Sequence, residues 1–320
     1  MGLFVAVGST FGDGRVMTSP DGITWSGHAV ADDQWSGVCW APSVGLFSAV
    51  AYTSPEDRVM TSADGASWAL HTALGGAWSG VCWSPELSRF VAVGGDNVYG
   101  YVMSSNDGSS WASQSVPAGV SPRAVCWSQE LSRFVAVGLG SVDVFDNTMT
   151  SPDGITWTPR TSSLGAECSS VCWSPALSTF VAVTAIDTGS RVATSPDGIS
   201  GTARTSPVVT GWTAVCWSQQ EALFVAVSRF GYVMTSPDGI TWTQRTSAAN
   251  NSWSSICWAP ELSLFVAVAT SGSGNRVMTS SDGITWTARI SAANVEWRSV
   301  CWSPGAIYDW WKNLKNVSAL

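Results

Sequence analysis

The amino-acid sequence predicts an all-β fold built from seven equivalent units, and three repeating markers support this prediction. The turn signal Ser-Pro-Asp-Gly and its variants recur at Asp21, Asp64, Asp107, Asp153, Asp197, Asp238 and Asp282, with spacings of 41 to 46 residues. The dipeptide Cys-Trp occurs seven times, and Phe-Val-Ala-Val or a close variant also occurs seven times. A repeat of about 43 residues has the length of a four-stranded propeller blade.

Each unit contains four short segments with strand character, which we call A to D in chain order. Their typical sequences are Trp-Ser-Gly-Val-Cys-Trp (A), Phe-Val-Ala-Val (B), Arg-Val-Met-Thr-Ser (C) and Ile-Thr-Trp-Thr (D). Alternating large and small side chains, β-branched residues and Gly/Pro/Asp punctuation favour strands, and no unit has the apolar spacing of a long helix. The sequence therefore predicts a seven-bladed β-propeller with antiparallel blades.

The two ends of the repeat region predict how the ring closes. The chain begins inside a unit, at strand B (3–7), and the last unit stops after a lone strand A (297–302). We expect residues 297–302 to supply the inner strand of the blade whose other strands lie near the N-terminus. Such closure leaves no open sheet edge in the ring. The predicted propeller spans residues 1–304.

Residues 305–320 form a predicted C-terminal tail that breaks the repeat. Ile307, Trp311 and Leu314 fall at helical spacing, and both lysines of the chain lie in this segment. This pattern predicts a short amphipathic helix. The tail is expected either to cap the ring or to dock onto a protein partner.

Composition excludes several classes of function. The formal net charge is −8 and the sequence pI is about 4.6, so we expect no nucleic-acid partner. Apolar runs are too short to span a bilayer, and the N-terminus has no basic region followed by a cleavage signal. We therefore expect a soluble chain that is complete from residue 1, with no membrane partner. Compartment and source organism stay open, with cytoplasmic synthesis or a viral particle as the alternatives.

The repeated turn resembles a known structural motif. Ser19, Asp21, Gly22 and Trp25 match in type and order the Asp box, Ser-x-Asp-x-Gly-x-x-Trp, of sialidase-type (BNR) propellers, although one residue is missing between Asp and Gly. The resemblance covers the whole chain through the seven copies of the turn. The repeats are also similar to those in phage and other microbial propeller proteins. It implies that the seven turn aspartates are structural, since each joins strands C and D of a blade.

The same resemblance raises the alternative of a glycosidase. Sialidases use three arginines, a tyrosine with a glutamate, and an acid/base aspartate, each at one unique place on the ring. Here Arg15, Arg58, Arg191 and Arg276 all open strand C, and further arginines follow strand D, so no unique set can be assigned. Motifs for a metal, a nucleotide or a catalytic triad are also missing. We predict a protein that is not an enzyme and has no cofactor.

Two further groups could bind ions or form disulfides. Asp143 and Asp146 lie in an acidic loop that could hold Ca²⁺, although two carboxylates in a loop are more often solvated. Seven of the eight cysteines occupy one equivalent position on strand A, and an odd ring of equivalent thiols cannot pair completely. We expect small buried free thiols, which fits assembly in the cytoplasm.

The two faces of the predicted ring differ in sequence. Antiparallel strands place the A–B and C–D turns on one face, and the B–C and D–A loops on the other. The A–B and C–D turns are nearly constant, whereas the B–C loops differ as widely as Ser-Arg-Phe-Gly (228–231) and residues 139–147. We call these the uniform face and the variable face. Diverse loops on a constant scaffold predict a binding surface on the variable face.

A ring of candidate ligand-binding residues lies near the D–A loops. Three residues after the strand-D aromatic position, the chain carries the donors His28, His71, Gln114, Arg160, Arg204, Arg245 and Arg289. Five residues before the strand-A tryptophan, it carries Trp35, Trp78, Trp212, Trp253 and Trp297. Aromatic rings beside planar donors suit sugar rings and acidic groups. Alternatively, the tryptophans fill gaps between blades and the arginines satisfy loop carbonyls.

Two functions from different classes follow. The first is a non-enzymatic binding module that recognises a glycan or another surface ligand through several sites on the variable face. The second is a structural or protein-interaction scaffold, such as a component of a viral particle, that docks through residues 305–320. An Asp-box glycosidase is a distant third.

Overall fold

The structure, a computed structural model, describes residues 2–9, 14–52, 57–96, 99–140, 148–160, 167–186 and 191–305. These residues form 28 β-strands and one short 3₁₀ helix, Pro260–Leu262. The strands make seven four-stranded antiparallel sheets, so the predicted seven-bladed β-propeller is confirmed. The predicted tail, apart from Gly305, and the loop that holds Asp143 and Asp146 lie outside the described residues.

The first three blades follow the order predicted from the repeats. Blade 1 contains β1 (Leu3–Gly8), β2 (Val16–Ser19) and β3 (Ser26–His28), and its inner strand comes from the other end of the chain. Blade 2 contains β4 (Trp35–Ala41), β5 (Leu46–Ala51), β6 (Asp57–Ser62) and β7 (Ala69–Thr72). Blade 3 contains β8 (Trp78–Ser84), β9 (Arg89–Gly95), β10 (Gly100–Ser105) and β11 (Ala112–Gln114).

The remaining blades repeat this arrangement. Blade 4 contains β12 (Val120–Ser128), β13 (Arg133–Gly140), β14 (Thr148–Ser151) and β15 (Thr158–Arg160). Blade 5 contains β16 (Cys168–Ser174), β17 (Thr179–Thr184), β18 (Val192–Ser195) and β19 (Thr202–Arg204). Blade 6 contains β20 (Trp212–Ser218), β21 (Leu223–Ser228), β22 (Tyr232–Ser236) and β23 (Thr243–Thr246). Blade 7 contains β24 (Trp253–Ala259), β25 (Leu264–Ala269), β26 (Val277–Ser280) and β27 (Thr287–Arg289).

The ring closes through the C-terminal strand, as the sequence predicts. Strand β28 (Trp297–Ser303) pairs antiparallel with β1 and places Trp302 opposite Phe4. Each strand A also contacts the strand A of the next blade, and β28 contacts both β24 and β4. The seven inner strands therefore surround a common central axis, and every inner edge has a neighbour.

The core of each blade is an aromatic pair. The strand-B phenylalanine packs against the Cys-Trp tryptophan opposite it, with ring centroids 4.3 to 4.5 Å apart in all seven blades. In six blades the tryptophan of the turn lies 6.0 to 6.4 Å from the same phenylalanine. The phenylalanine is buried in every blade, whereas the Cys-Trp tryptophan is half-buried in six of the seven, so the pair covers apolar area between strands A and B.

The aspartate turn is longer than the sequence predicts. In blade 1, Asp21 Oδ1 accepts the backbone N–H groups of Ile23 and Thr24, each at 2.8 Å, and Trp25 Nε1 donates to Gly22 O at 3.1 Å. The residues Ile-Thr-Trp therefore belong to the turn. The prediction that they open strand D is wrong, since strand D begins after the tryptophan.

The turn glycine also packs closely against the preceding blade. Gly22 has φ +73°, and a Cβ at this position would lie 2.8 Å from Leu264 Cδ2 of blade 7. Gly65 repeats this geometry, with φ +74° and Leu3 Cδ2 of blade 1 at 2.9 Å. Glycine is therefore required both by the left-handed backbone and by the close approach of the preceding blade.

The cysteines are free, and they are more accessible than the sequence predicts. All eight are free thiols, but only Cys168 is buried, and the seven Cys-Trp cysteines are half-buried. The expectation of small buried thiols therefore holds fully for Cys168 and in part for the other seven, which lie half-buried beside the central axis, where burial still raises the pKa of each thiol. Burial raises the pKa of Cys168 to about 12, so its reactive thiolate form is disfavoured at neutral pH.

Blade 5 departs from the repeat and carries a packing defect. Ala193 stands where the other six blades have a strand-C methionine, and Gly201 stands where they have the turn tryptophan. A cavity of about 40 Å³ is lined by both residues, together with Val135 and Phe180. The missing side chains account for this void between blades 4 and 5.

Replacing Ala193 with methionine is expected to fill this cavity and stabilise the protein. A void of this size costs about 1 kcal/mol, so the Ala193→Met variant should gain roughly that amount. Equilibrium denaturation in guanidinium chloride measures the change. Met234→Ala in blade 6 is the matched control and should lose about 2 to 5 kcal/mol. A destabilised Ala193→Met variant would contradict this account of the defect.

Because the turn aspartates stabilise the fold as carboxylates, we expect the protein to lose stability in acid. The backbone N–H groups of Ser67 and Ala66 lower the pKa of Asp64 to about 2, below its ordinary value of 3.8. A depressed folded-state pKa means that the carboxylate stabilises the fold above pH 3.8 and that this contribution is lost as the pH falls through about 2. An NMR titration of the Asp64 carboxyl carbon checks the value. A midpoint at or above 3.8 would contradict the turn geometry.

Candidate functional site

Every inner strand has a β-bulge at the same place, close to the variable face. The pairing of strand A with strand B shifts just after the first tryptophan position in each blade. The extra residues are Ser36, Ser79, Arg123, Ser169, Thr213, Ser254 and Arg298. A bulge turns a side chain away from the regular pleat. The residue at this position therefore does not follow the alternation of side chains between the two faces of the sheet.

In five blades the bulged residue carries a hydroxyl that bridges two blades. Ser36 Oγ lies 3.1 Å from Val50 O in its own blade and 2.6 Å from Trp78 O in the next blade. The hydroxyls of Ser79, Ser169, Thr213 and Ser254 make the same pair of contacts. The repeated hydroxyl is therefore a hydrogen-bonded clamp between successive inner strands.

In the other two blades the clamp is replaced by arginine. Arg298 belongs to blade 1 and Arg123 to blade 4, so they flank the clamp serines of blades 2 and 3. Together they line a cavity of about 340 Å³ with Ser9, Gln34, Ser36, Tyr52 and Ser79. This set, which we call the channel-mouth site, joins four successive inner strands at the variable face. Its volume is in the range of ordinary ligand sites.

Polar contacts hold one of these arginines in place. Arg298 Nε donates to Ser9 Oγ at 2.8 Å, and Arg298 Nη2 donates to Glu296 Oε2 at 2.5 Å. The side chains of Arg298 and Glu296 are 45% and 42% exposed, so the ion pair can rearrange in solvent. The residues that line the cavity include two arginines and no carboxylate, although the whole chain has a net charge of −8.

The donors predicted at the D–A rim make contacts inside their own blades. Arg245 Nε donates to Thr235 Oγ1 at 2.9 Å, and Arg160, Arg204 and Arg289 make the same bond to Thr150, Thr194 and Thr279. His28 and His71 pair in the same way with Thr18 and Thr61. All of these donors are half-buried and tie strand D to strand C, and a role in ligand binding stays a prediction.

The tryptophans predicted beside them lie in the interior. Trp35, Trp78, Trp212, Trp253 and Trp297 are at most 1% exposed. In four of these five residues, Nε1 donates to the backbone oxygen of the residue four positions earlier, as Trp253 does to Ala249 O at 3.3 Å. A ring with no exposed face cannot stack on a sugar, so burial favours the alternative that these tryptophans fill space between blades.

Arg123 and Arg298 are not among the binding residues predicted from the sequence, although the sequence contains a signal for them. Most arginines occupy positions that repeat from blade to blade, and the structure gives several of them backbone partners, such as Val295 O for Arg276 Nη1 at 2.7 Å. Arg123, Arg229 and Arg298 depart from the repeat. Each of these three lines one of two cavities on the variable face. Departure from the repeat is the sequence signal that marks these three residues.

The described part of the chain contains neither a metal-binding cluster nor a membrane-spanning helix. No group of three or more His, Cys, Asp or Glu side chains is arranged there to hold a metal ion. No helix among the described residues is long and apolar enough to cross a membrane.

These features define a seven-bladed β-propeller with a polar cavity at one end of its axis, and comparisons with solved structures show the same fold. A protein from Lactobacillus plantarum is similar over 95% of this chain and 99% of its own, with a TM-score of 0.70 and 11% identity. No protein-family model and no curated protein matches the sequence.

Two further similar structures come from complexes. The structure titled "YCF48 bound to D1 peptide" is similar over 84% of this chain and 87% of its own, with a TM-score of 0.59 and 17% identity. The structure titled "Crystal Structure of Mitotic Checkpoint Complex" is similar over 92% and 85%, with a TM-score of 0.61 and 13% identity. At these identities the likeness concerns the fold alone.

At the clamp position, we expect a hydroxyl to stabilise the fold at least as well as an arginine, which adds positive charge. Ser254→Ala removes the donor to Val268 O and Trp297 O and should cost about 1 kcal/mol. Arg298→Ser restores the repeated hydroxyl and should leave the free energy of unfolding equal or higher. Denaturant titrations of both variants measure these changes. A strongly destabilised Arg298→Ser variant would show that this arginine is structural.

Proposed function

We propose that the protein is a non-enzymatic binding module that recognises an acidic segment of another protein at the channel-mouth site. The observation that carries the proposal is the replacement of the interblade clamp hydroxyl by arginine at positions 123 and 298, both of which line one cavity. Five blades use this position to hold the ring together. In two blades the position carries arginine in place of the hydroxyl, which supports a role for it in ligand binding rather than in holding the ring together.

The lining of the site suits an acidic peptide. Arginine donates in a fixed planar geometry that matches carboxylates, and such charge-assisted hydrogen bonds are stronger than neutral ones. Tyr52 and Gln34 add an aromatic ring and an amide on the same cavity. A carboxylate of the ligand would replace Glu296 as the partner of Arg298.

The similar solved structures agree with a protein ligand. One is a complex with a peptide, and another is an assembly of several proteins, according to their titles. Since these neighbours share only the fold, they favour protein recognition as a class and do not indicate a sequence for the ligand.

The other functions predicted from sequence have less support. A ring of equivalent glycan sites at the D–A rim lacks its aromatic component, because the five tryptophans there are buried. Docking through residues 305–320, a phage or viral context, and the boundary at residue 304 stay predictions. The absence of enzymatic activity is part of our proposal.

Peptide selection tests the proposal directly. A displayed library of random 12-residue peptides is selected on the wild-type protein, and the affinity of the selected peptides is then measured by fluorescence polarisation. We expect peptides rich in Asp and Glu whose Kd rises at least about tenfold in the Arg123→Ser/Arg298→Ser variant. Binding should also weaken with added salt.

Matched controls make the result specific. Arg245→Ala removes one rim arginine of the same charge and should leave peptide affinity unchanged. Loss of affinity in Arg245→Ala but not in the double variant would move the site to the D–A rim. Failure to select any peptide would overturn the proposal, and hydrolysis of a fluorogenic sialoside would overturn its non-enzymatic part.

A further inference from the structure

A second cavity on the variable face lies between the outer loops of blades 6 and 7. Its volume is about 590 Å³, and we call it the rim groove. Val209, Thr210, Phe230 and Asn250 line it, together with the third arginine that departs from the repeat, Arg229. None of these residues belongs to the channel-mouth site.

Thr210 carries the observation that points to a ligand. This residue is only 2% exposed, and its side-chain hydroxyl has no hydrogen-bond partner among the residues that the structure describes. A buried hydroxyl without a partner costs free energy, and such groups are rare in folded proteins. Because Thr210 lines the groove, a group bound there would supply the missing partner.

An exposed aromatic ring lies on the same groove. Phe230 is 50% exposed, and the guanidinium of Arg229 lies 5.0 Å from its ring centroid. Val209 beside it is also well exposed. An apolar surface next to hydroxyl and amide groups is the composition that a sugar ring requires, since a sugar has C–H faces and hydroxyl edges.

The turn that presents Phe230 is held in advance by serine side chains. Ser252 Oγ donates to Arg229 O at 2.7 Å, and Ser247 Oγ donates to Gly231 O at 2.6 Å. Ser228 Oγ accepts the backbone N–H of Phe230 at 3.3 Å. A turn fixed before binding loses little conformational entropy when a ligand arrives.

We infer that the rim groove binds one sugar residue of a glycan, with its C–H face on Phe230 and its hydroxyls on Thr210 and Asn250. Asn250 is exposed on the groove, and its side-chain amide can bind a ligand hydroxyl. This inference does not depend on the proposed function, and it replaces the predicted ring of equivalent sites by a single unique site.

A glycan array with the full-length protein tests this inference. Thr210→Val removes the hydroxyl with little change in shape, and Phe230→Ala removes the ring. We expect each variant to lower the apparent affinity for the bound glycans by at least about tenfold. Thr210→Val should not lower the melting temperature, because the hydroxyl that it removes has no partner in the free protein. Tyr99→Ala, which removes another exposed aromatic residue of the variable face, should bind like the wild type.

The outcomes separate this inference from the proposed function. The Arg123→Ser/Arg298→Ser variant should keep glycan binding, and Phe230→Ala should keep peptide binding. Silence of the wild-type protein across the array would overturn the inference. Binding unchanged in Thr210→Val would overturn it too, since a water molecule would then explain the buried hydroxyl. Equal loss in Tyr99→Ala would assign the binding to a non-specific surface effect.

Discussion

The hydrogen-bonded clamp between successive inner strands is the interaction on which the rest of the structure depends. In each of five bulges, one hydroxyl proton lies between a carbonyl of its own blade and a closer carbonyl of the next blade. These contacts add to the apolar packing between neighbouring sheets. Once β28 pairs with β1, the chain of clamped blades becomes a closed ring with no free inner edge.

The uniform face repeats a second interblade contact. The aspartate turn presents its glycine to strand B of the preceding blade, and the aspartate holds the turn through two backbone N–H groups. Clamp and turn act at opposite ends of each blade. Because both hold the ring together, the variable-face loops need not contribute to closure, and they are free to differ in length and chemistry.

The two cavities to which we assign binding lie where the repeat is broken. Arg123 and Arg298 replace clamp hydroxyls, and Arg229 lies in the short loop of blade 6. Each of these changes places a cation on a cavity of an acidic protein. Blade 5 breaks the repeat in a different way, since Ala193 and Gly201 leave a small apolar void and bring no polar group to the surface. A departure from the repeat is therefore informative only together with its surroundings.

The sequence by itself determined the number of blades, the four strands of each blade and the closure of the ring, because the repeat spacing and the turn residues are local signals. Tertiary structure alone decided where side chains point. The rim tryptophans recur in five units and the rim arginines in four, and the structure buries the tryptophans and bonds the arginines to strand C. Arg123 and Arg298 are 175 residues apart and meet only because the ring brings blades 1 and 4 to one cavity. Their proximity follows from the circular arrangement of blades, a long-range property that no local pattern carries.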